Sequence, residues 1–168
     1  MAQQVEFFAA LADQAEHYVA HHMGIAALDG AQTVQRSVRL LEVTAFIQVC
    51  GAEQGGYLLS VDTGLAHEFV VRYMADPPAP DEIRELALEV TAEISNVILG
   101  NSLMNRDEND IAIGNPLMLL TNRSEIKPKS ELCHTAAWRT EYGSFEVVYF
   151  PMKSKAELAS ILPLEPGC

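Results

Sequence analysis

The chain has 168 residues, 49% hydrophobic and 20% charged, which suits one well-buried domain rather than two domains or a disordered segment. Eleven Lys and Arg stand against 23 Asp and Glu, a net charge of −12 that repels phosphate backbones and anionic headgroups, so neither nucleic acid nor membrane is an expected partner. No apolar run approaches the ~20 residues of a membrane span, and the opening MAQQVEFFAALADQ has no basic residue of the kind a secretory leader carries. Cys50, Cys133 and Cys168 form no metal-like or redox-like doublet, and reduced thiols in a cytoplasmic protein are the expectation.

A helix is predicted over residues 4–22, where Val5, Phe8, Ala12, Ala15 and Val19 recur at three- and four-residue spacings and Gly24 follows as a stop. Residues 34–49 alternate as strand does, with a change of parity at Leu40-Leu41 that predicts a bulge or a change of face. Gly51 and Gly55-Gly56 bracket a hairpin whose return strand holds Tyr57, Leu59 and Val61. A second helix follows over 63–75, with Asp62 or Thr63 as its cap. Asp76-Pro77-Pro78-Ala79-Pro80-Asp81 is a stiff connector, because proline fixes its own backbone and pushes its predecessor out of the helical region.

The second half repeats that order. Asp81 is placed to cap a long helix over 82–104, a polar loop covers 105–110, and a strand over 111–121 is broken at Gly114-Asn115-Pro116. Strands over 131–140 and 144–150 meet at Tyr142-Gly143-Ser144, and a short helix over 154–161 closes the chain. Helix, strand, hairpin and helix, twice over, predict a duplicated α+β unit with long helices on an antiparallel sheet.

The long helix is the informative one. At about 100° per residue, Ile83, Leu86, Val90, Ile94 and Val97 form one stripe that reads as core. Glu82, Glu85, Glu89, Glu93, Asn96 and Gly100 share a flank about 80° wide, and Leu88, Ala92 and Leu99 form a further apolar strip that this stripe does not bury. A charged flank is what many surface helices carry. Gly100 is less easily explained, since glycine inside a helix costs ~1 kcal/mol and leaves a gap where another molecule can approach closely.

The stretch Glu93-Ile94-Ser95-Asn96-Val97-Ile98-Leu99-Gly100-Asn101 resembles the signature helix of CheX-type chemotaxis phosphatases, within the CheC/CheX/FliY family. The resemblance extends over most of the chain, through the opening helix, the Gly51–Gly55 hairpin, the helix ending near Met74, and Pro116 after an alternating strand. It implies a single CheX-like domain over residues 1–168, with its core about 4–152. It also implies hydrolysis of the aspartyl phosphate of a CheY-like receiver domain in chemotaxis or motility signalling. Glu93 then pairs with the receiver's lysine while Asn96, donor and acceptor in one charge state, aligns the attacking water. Glu89, Gly100, Leu88, Ala92 and Leu99 are the implied partner contacts. No cofactor of its own is implied; Mg2+ is expected on the receiver. The first helix carries no Glu-x-x-Asn, which favours the single-site, homodimeric type over one with two such helices. A receiver-binding or scaffold module without catalysis is the alternative function.

Two other constellations compete. Asp13, His17 and His21, spaced by four, could hold zinc or iron or could be an exposed helix face, whereas His22 points elsewhere on a regular helix. Cys133-His134 is not expected to act as a dyad, because neighbours on a strand face opposite ways. Trp138 alternates with Leu132, His134 and Ala136 and reads as a core or interface aromatic.

Overall fold

Two hairpins form the middle of the fold. In the computed structural model, which describes residues 2–51, 54–104, 111–128 and 132–152, β3 (Val43–Gly51) pairs with β4 (Gly55–Val61), and β8 (Cys133–Thr140) pairs with β9 (Gly143–Pro151). The two hairpins join through β4 and β9, with Leu58 opposite Val148. β1 (Leu28–Gln35) continues the sheet on β8, while β5 (Ile111–Ile113) and β6 (Leu117–Leu120) share the outer edge of β3. All pairings are antiparallel and the order is β1-β8-β9-β4-β3-β5, with β6 beside β5 on β3.

That order is symmetric about the β4–β9 boundary. The strand that follows the first helix lies on the second hairpin, and the strands that follow the long helix lie on the first hairpin. The α+β fold with helices on an antiparallel sheet is therefore as the sequence predicts. The polar loop at 105–110 and the predicted helix at 154–161 lie outside the described residues.

Among the described residues three helices cover one face: α1 (Ala2–His17), extended by a π-helical turn at Tyr18–His22, α2 (Thr63–Tyr73) and α3 (Ile83–Leu103). α1 and α2 each pack on α3, which rests on β3, β4 and β6. Tyr57, Leu59, Val61, Phe145, Val147 and Tyr149 alternate toward these helices, as the strand period of two requires. Leu58, Phe46, Val148 and Phe150 point the other way, onto a ribbon of β2 (Val38–Arg39) and β7 (Glu125–Ile126). β4 is consequently buried along its whole length.

The parity change at Leu40-Leu41 is a change of sheet. The chain leaves the ribbon there, the Leu41 N–H donates to Ser60 Oγ at 2.7 Å, and β3 starts at Val43. The break at Gly114-Asn115-Pro116 is a bulge, in which three residues oppose Ile47 and Gln48 between the Val49–Ile113 and Phe46–Leu117 pairs. β1 begins six residues before the alternation at Val34 does. All eight of its residues are exposed, so no core-facing pattern marks it. Asp62 precedes α2 without capping it; Oδ2 instead accepts the Ser144 N–H at 2.7 Å, tying the helix start to β9. Glu82, not Asp81, is the residue before α3, and its carboxylate reaches back to the Ala79 N–H at 3.3 Å.

Glu146 lies on the face opposite the helices, across from Ser60. Its Oε1 is buried without a hydrogen-bond partner among the described residues. Burial, and then the neighbouring Asp62 carboxylate, push its pKa up to about 7 from 4.5. Between those values the folded protein keeps a proton that the unfolded chain releases, so stability falls as pH rises from 4.5 to 7 and then levels off. Relative to wild type, Glu146→Gln is expected to gain about 3 kcal/mol between pH 4.5 and pH 8, measured by urea denaturation. A gap independent of pH would show that Glu146 does not hold this proton.

Candidate functional site

The rotation of α3 decides what the protein presents. Ala87, Val90, Thr91, Ile94, Ser95, Ile98, Leu99 and Ser102 are buried, an arc of roughly 180° rather than a single stripe. The sheet covers part of that arc and α1 and α2 cover the rest. Four of the eight are small (Ala87, Thr91, Ser95, Ser102), which lets the neighbouring elements approach closely. Ser102 Oγ donates to the Ile98 carbonyl at 2.7 Å. The Thr91 hydroxyl is buried without a partner among the described residues, while the buried hydroxyls of Ser95 and Tyr57 lie beside each other.

This arc corrects the apolar part of the sequence reading. Leu99, expected as a docking contact, is 0% exposed, and Leu88 is packed against the same core. Ala92 is partly buried at the margin. Val97, expected in the core, is 38% exposed. The reason is that polar but small Thr91 and Ser95 face inward, which turns the helix away from the orientation its large apolar residues alone suggest.

The polar flank faces outward. Glu85, Glu89 and Glu93 are exposed, and Asn96 and Gly100 are partly so. Glu93 and Asn96, one turn apart, lie side by side. Neither is held by the chain itself: among the described residues Glu93 joins no ion pair and Asn96 has no side-chain hydrogen bond. A Cβ added at Gly100 meets nothing within 4 Å, so the glycine is not required by its own fold. Val97, and Met104 at 78% exposure just past the helix end, are the apolar side chains open to solvent along this helix. Spacing alone hides both, since Val97 matches the core stripe and Met104 closes the helix.

α1 and α2 flank this face. The Tyr18 phenol is raised above its ordinary pKa by burial, then by Tyr73 and by the Glu93 carboxylate. His17 and His21 meet, with rings 4.6 Å apart. Among the described residues no three His, Cys, Asp or Glu side chains converge to hold a metal ion. His22 does not point elsewhere: the π-helical turn brings its ring to 5.7 Å from His17 and stacks it on Tyr18 at 5.0 Å.

Other titratable groups lie apart from this face. Cys133 is in the far-side core, where burial pushes its thiol up to about 11, while His134 meets Phe8 on the helix side. The two do not form a dyad, and a thiol so protonated is a poor nucleophile. A cleft of about 390 Å³ at β1, β8 and β9, with Glu146, Asp29 and Arg139 in its lining, contains none of the outward residues of α3. No helix among the described residues is long and apolar enough to cross a membrane.

The family model for Chemotaxis phosphatase CheX matches residues 43–136, more than half of the chain. The chain belongs to this family. No curated protein sequence matches the CheX-family chain. Among solved structures it is similar to a CheX from Desulfovibrio desulfuricans, with 16% identity, TM-score 0.69, and 89% of this chain and 98% of that one covered. It is also similar to a CheC-like superfamily protein from Shewanella sp. PV-4, with 14% identity, TM-score 0.72, and coverage of 88% and 99%. A third is the Borrelia burgdorferi CheX–CheY–BeF3–Mg2+ complex, with 14% identity, TM-score 0.67, and coverage of 88% and 98%. At such identities the likeness speaks for the fold.

The rotation of α3 has a direct thermodynamic consequence. Leu99→Ala is expected to cost about 2–5 kcal/mol, as core leucines do, whereas half-exposed Val97→Ala costs less than about 1 kcal/mol. Chemical denaturation of the two variants measures the difference; equal costs would place the helix in another rotation.

Proposed function

We propose that this chain hydrolyses the aspartyl phosphate of a CheY-like response-regulator receiver, using the outward face of α3 to complete an active site that the receiver supplies in part. The observation that carries the reading is the pair Glu93 and Asn96, adjacent on one exposed face, with no ion pair or side-chain hydrogen bond among the described residues.

Hydrolysis of an acyl phosphate is mostly a matter of placing water in line with the leaving carboxylate and stabilising the charge that develops. The Asn96 amide accepts a hydrogen bond from a water proton while its NH2 donates to a phosphoryl oxygen, so the water's lone pair points at phosphorus. Glu93 repels a phosphoryl group on its own. Set against the receiver's lysine it becomes a charge-assisted contact that fixes the angle of approach. Gly100, one turn beyond Asn96, lets the receiver backbone come close. Val97 and Met104 add apolar contact beside it. Mg2+ on the receiver would screen the phosphoryl charge there, and Glu93 and Asn96 act in this reading by docking and by positioning water. The similar Borrelia burgdorferi structure holds CheX with CheY, BeF3 and Mg2+, which supports a CheY-like receiver as the partner.

A homodimer fits the fold's open edges. Among the described residues the outer edge of β1 has no partner strand, and β5–β6 form a second edge, in the second half of the chain, broken by the Pro116 bulge. Sedimentation of the purified chain reads the oligomeric state.

Phosphate loss from a phosphorylated CheY-like receiver separates the roles. Asn96→Ala is expected to keep binding but slow turnover by about 100-fold or more at saturating receiver. Glu93→Ala is expected to weaken binding by about 30-fold or more, as losing one partner of a buried charge pair does. Wild type that binds the receiver and leaves its phosphate lifetime unchanged would replace catalysis with the scaffold alternative.

Gly100 gives a second signature. Gly100→Ala is expected to raise stability by about 1 kcal/mol, since an interior glycine costs that much and the added Cβ meets open space. Gly100→Leu is expected to fold as well as wild type and to weaken receiver binding by about tenfold or more through steric exclusion. Unchanged binding by Gly100→Leu would remove this turn from the interface.

A further inference from the structure

The cleft of about 390 Å³ at β1, β8 and β9 opens on the sheet face opposite the helices. Small side chains leave it open. Ala31, Ala137 and Ser144 line it beside Glu146, and the strand register sets Ala137 between Ala31 on one side and Glu146 on the other. Leu41 stands at one margin, its N–H held by Ser60 Oγ at 2.7 Å. The opposite margin is shaped by a bulge, where the β1–β8 register shifts between Leu28 and Ala31. Asp29 takes φ +55° there, and Gly30 lies so close to the Trp138 indole that a Cβ would meet Nε1 at 2.8 Å. Bulges re-aim side chains beside binding sites, and this one carries Asp29 to the cleft, where its carboxylate accepts from Arg139 Nε at 3.0 Å.

The charges around this cleft do not balance. Asp29 and Arg139 satisfy each other at the rim. Glu146 joins no hydrogen bond or ion pair among the described residues, and its Oε1 is buried. Asp62 lies on the same face by strand alternation, fixed across from Ser144 by bonds of 3.0 and 2.7 Å in the two directions. Its Oδ1 is likewise buried without a hydrogen-bond partner, and Arg123 approaches that atom only to 4.0 Å. Three acids thus share two cations. Glu146 is the acid left over, and its retained proton, with a pKa pushed up to about 7, is what balances the empty cleft. A buried carboxyl without a partner calls for an explanation, and a ligand that supplies the missing positive charge provides one.

We propose that the cleft binds a small organic cation, a primary ammonium or guanidinium group on a short apolar stem, with Glu146 as its counter-ion and Ala31, Ala137 and Leu41 against the stem. A volume of this order suits a small molecule, and several N–H donors on one charged head match the lone pairs of a carboxylate. The neighbouring acids repel phosphates and carboxylates, which sets the sign of the ligand. The site stands apart from Glu93 and Asn96 and does not depend on their role. Binding needs Glu146 ionised, so affinity falls as pH drops through about 7. The other charged groups near it are Asp29 of β1, Arg139 of β8, Asp62 after β4 with Arg123 beside it, and Glu42, whose carboxylate faces the Thr63 N–H at 3.5 Å. Carboxylates and guanidinium groups as classes hold one charge state between about pH 6 and 8, which leaves the change to Glu146.

Isothermal titration of the purified chain with n-butylamine and n-butylguanidine, and with butan-1-ol as the uncharged control, tests the assignment. Wild type is expected to bind one or both cations at pH 8 and to bind them about fivefold or more weakly at pH 6, as a carboxyl titrating near 7 requires. Glu146→Gln keeps the side-chain shape without the charge; it is expected to bind about tenfold or more weakly than wild type at pH 8 and to lose the pH dependence. Ala137→Leu, which fills the cleft from its floor, is expected to weaken binding similarly at pH 8. Equal affinity of wild type and Glu146→Gln, binding of butan-1-ol as tight as that of the cations, or no saturable binding of either cation by wild type at pH 8 would each overturn the proposal.

Discussion

The seating of α3 is the constraint on which the rest depends. Ala87, Thr91, Ser95 and Ser102 are small enough for the neighbouring elements to close over half of the helix, and Val90, Ile94, Ile98 and Leu99 fill the space between. Once that half is buried, the remaining half is fixed, and Glu89, Glu93, Asn96 and Gly100 must lie along it. A rotation by one position would bury a carboxylate, which costs several kcal/mol without a partner. The core therefore sets the geometry of the site, and the site residues themselves contribute little to the fold. Such a division lets an exposed face keep polar side chains that nothing among the described residues satisfies.

Much of this is written in the chain in a legible form, and the exceptions share a cause. Elements with one buried and one covered or solvated face follow their periodicity: the β3–β4 and β8–β9 hairpins and the interrupted edge strand all fall where alternation and turn residues put them. β1 escapes because an edge strand exposed on every residue has no apolar rhythm. On α3 the polar flank was legible since glutamates do not go inside, whereas the apolar side was misjudged by one stripe. Thr91 and Ser95 look like surface residues, yet their size suits a close helix contact. Size and polarity point opposite ways there, and packing decides. The position of His22 is hidden for another reason, since a π-helical turn shifts the side-chain register and no composition rule announces it.

The site also has an electrostatic logic. A chain of net charge −12 that approaches an acidic pocket gains nothing from long-range attraction, so recognition must come from short-range pairing. In the complex we propose, Glu93 supplies a carboxylate for one cation and Asn96 a neutral amide for the phosphoryl oxygen and the water, and a partner lacking the matching cation meets an uncompensated negative face.

The most direct measurement is a double-mutant cycle across the interface, pairing Glu93→Gln with substitution of the receiver lysine beside its phosphorylated aspartate. Affinities of the four combinations for beryllofluoride-loaded receiver give the coupling between the two side chains. A coupling of about 1.5 kcal/mol or more is the expected result for a close, desolvated charge pair. Additivity within about 0.5 kcal/mol, the behaviour of sites that do not touch, would contradict the placement of Glu93 in the receiver's active site.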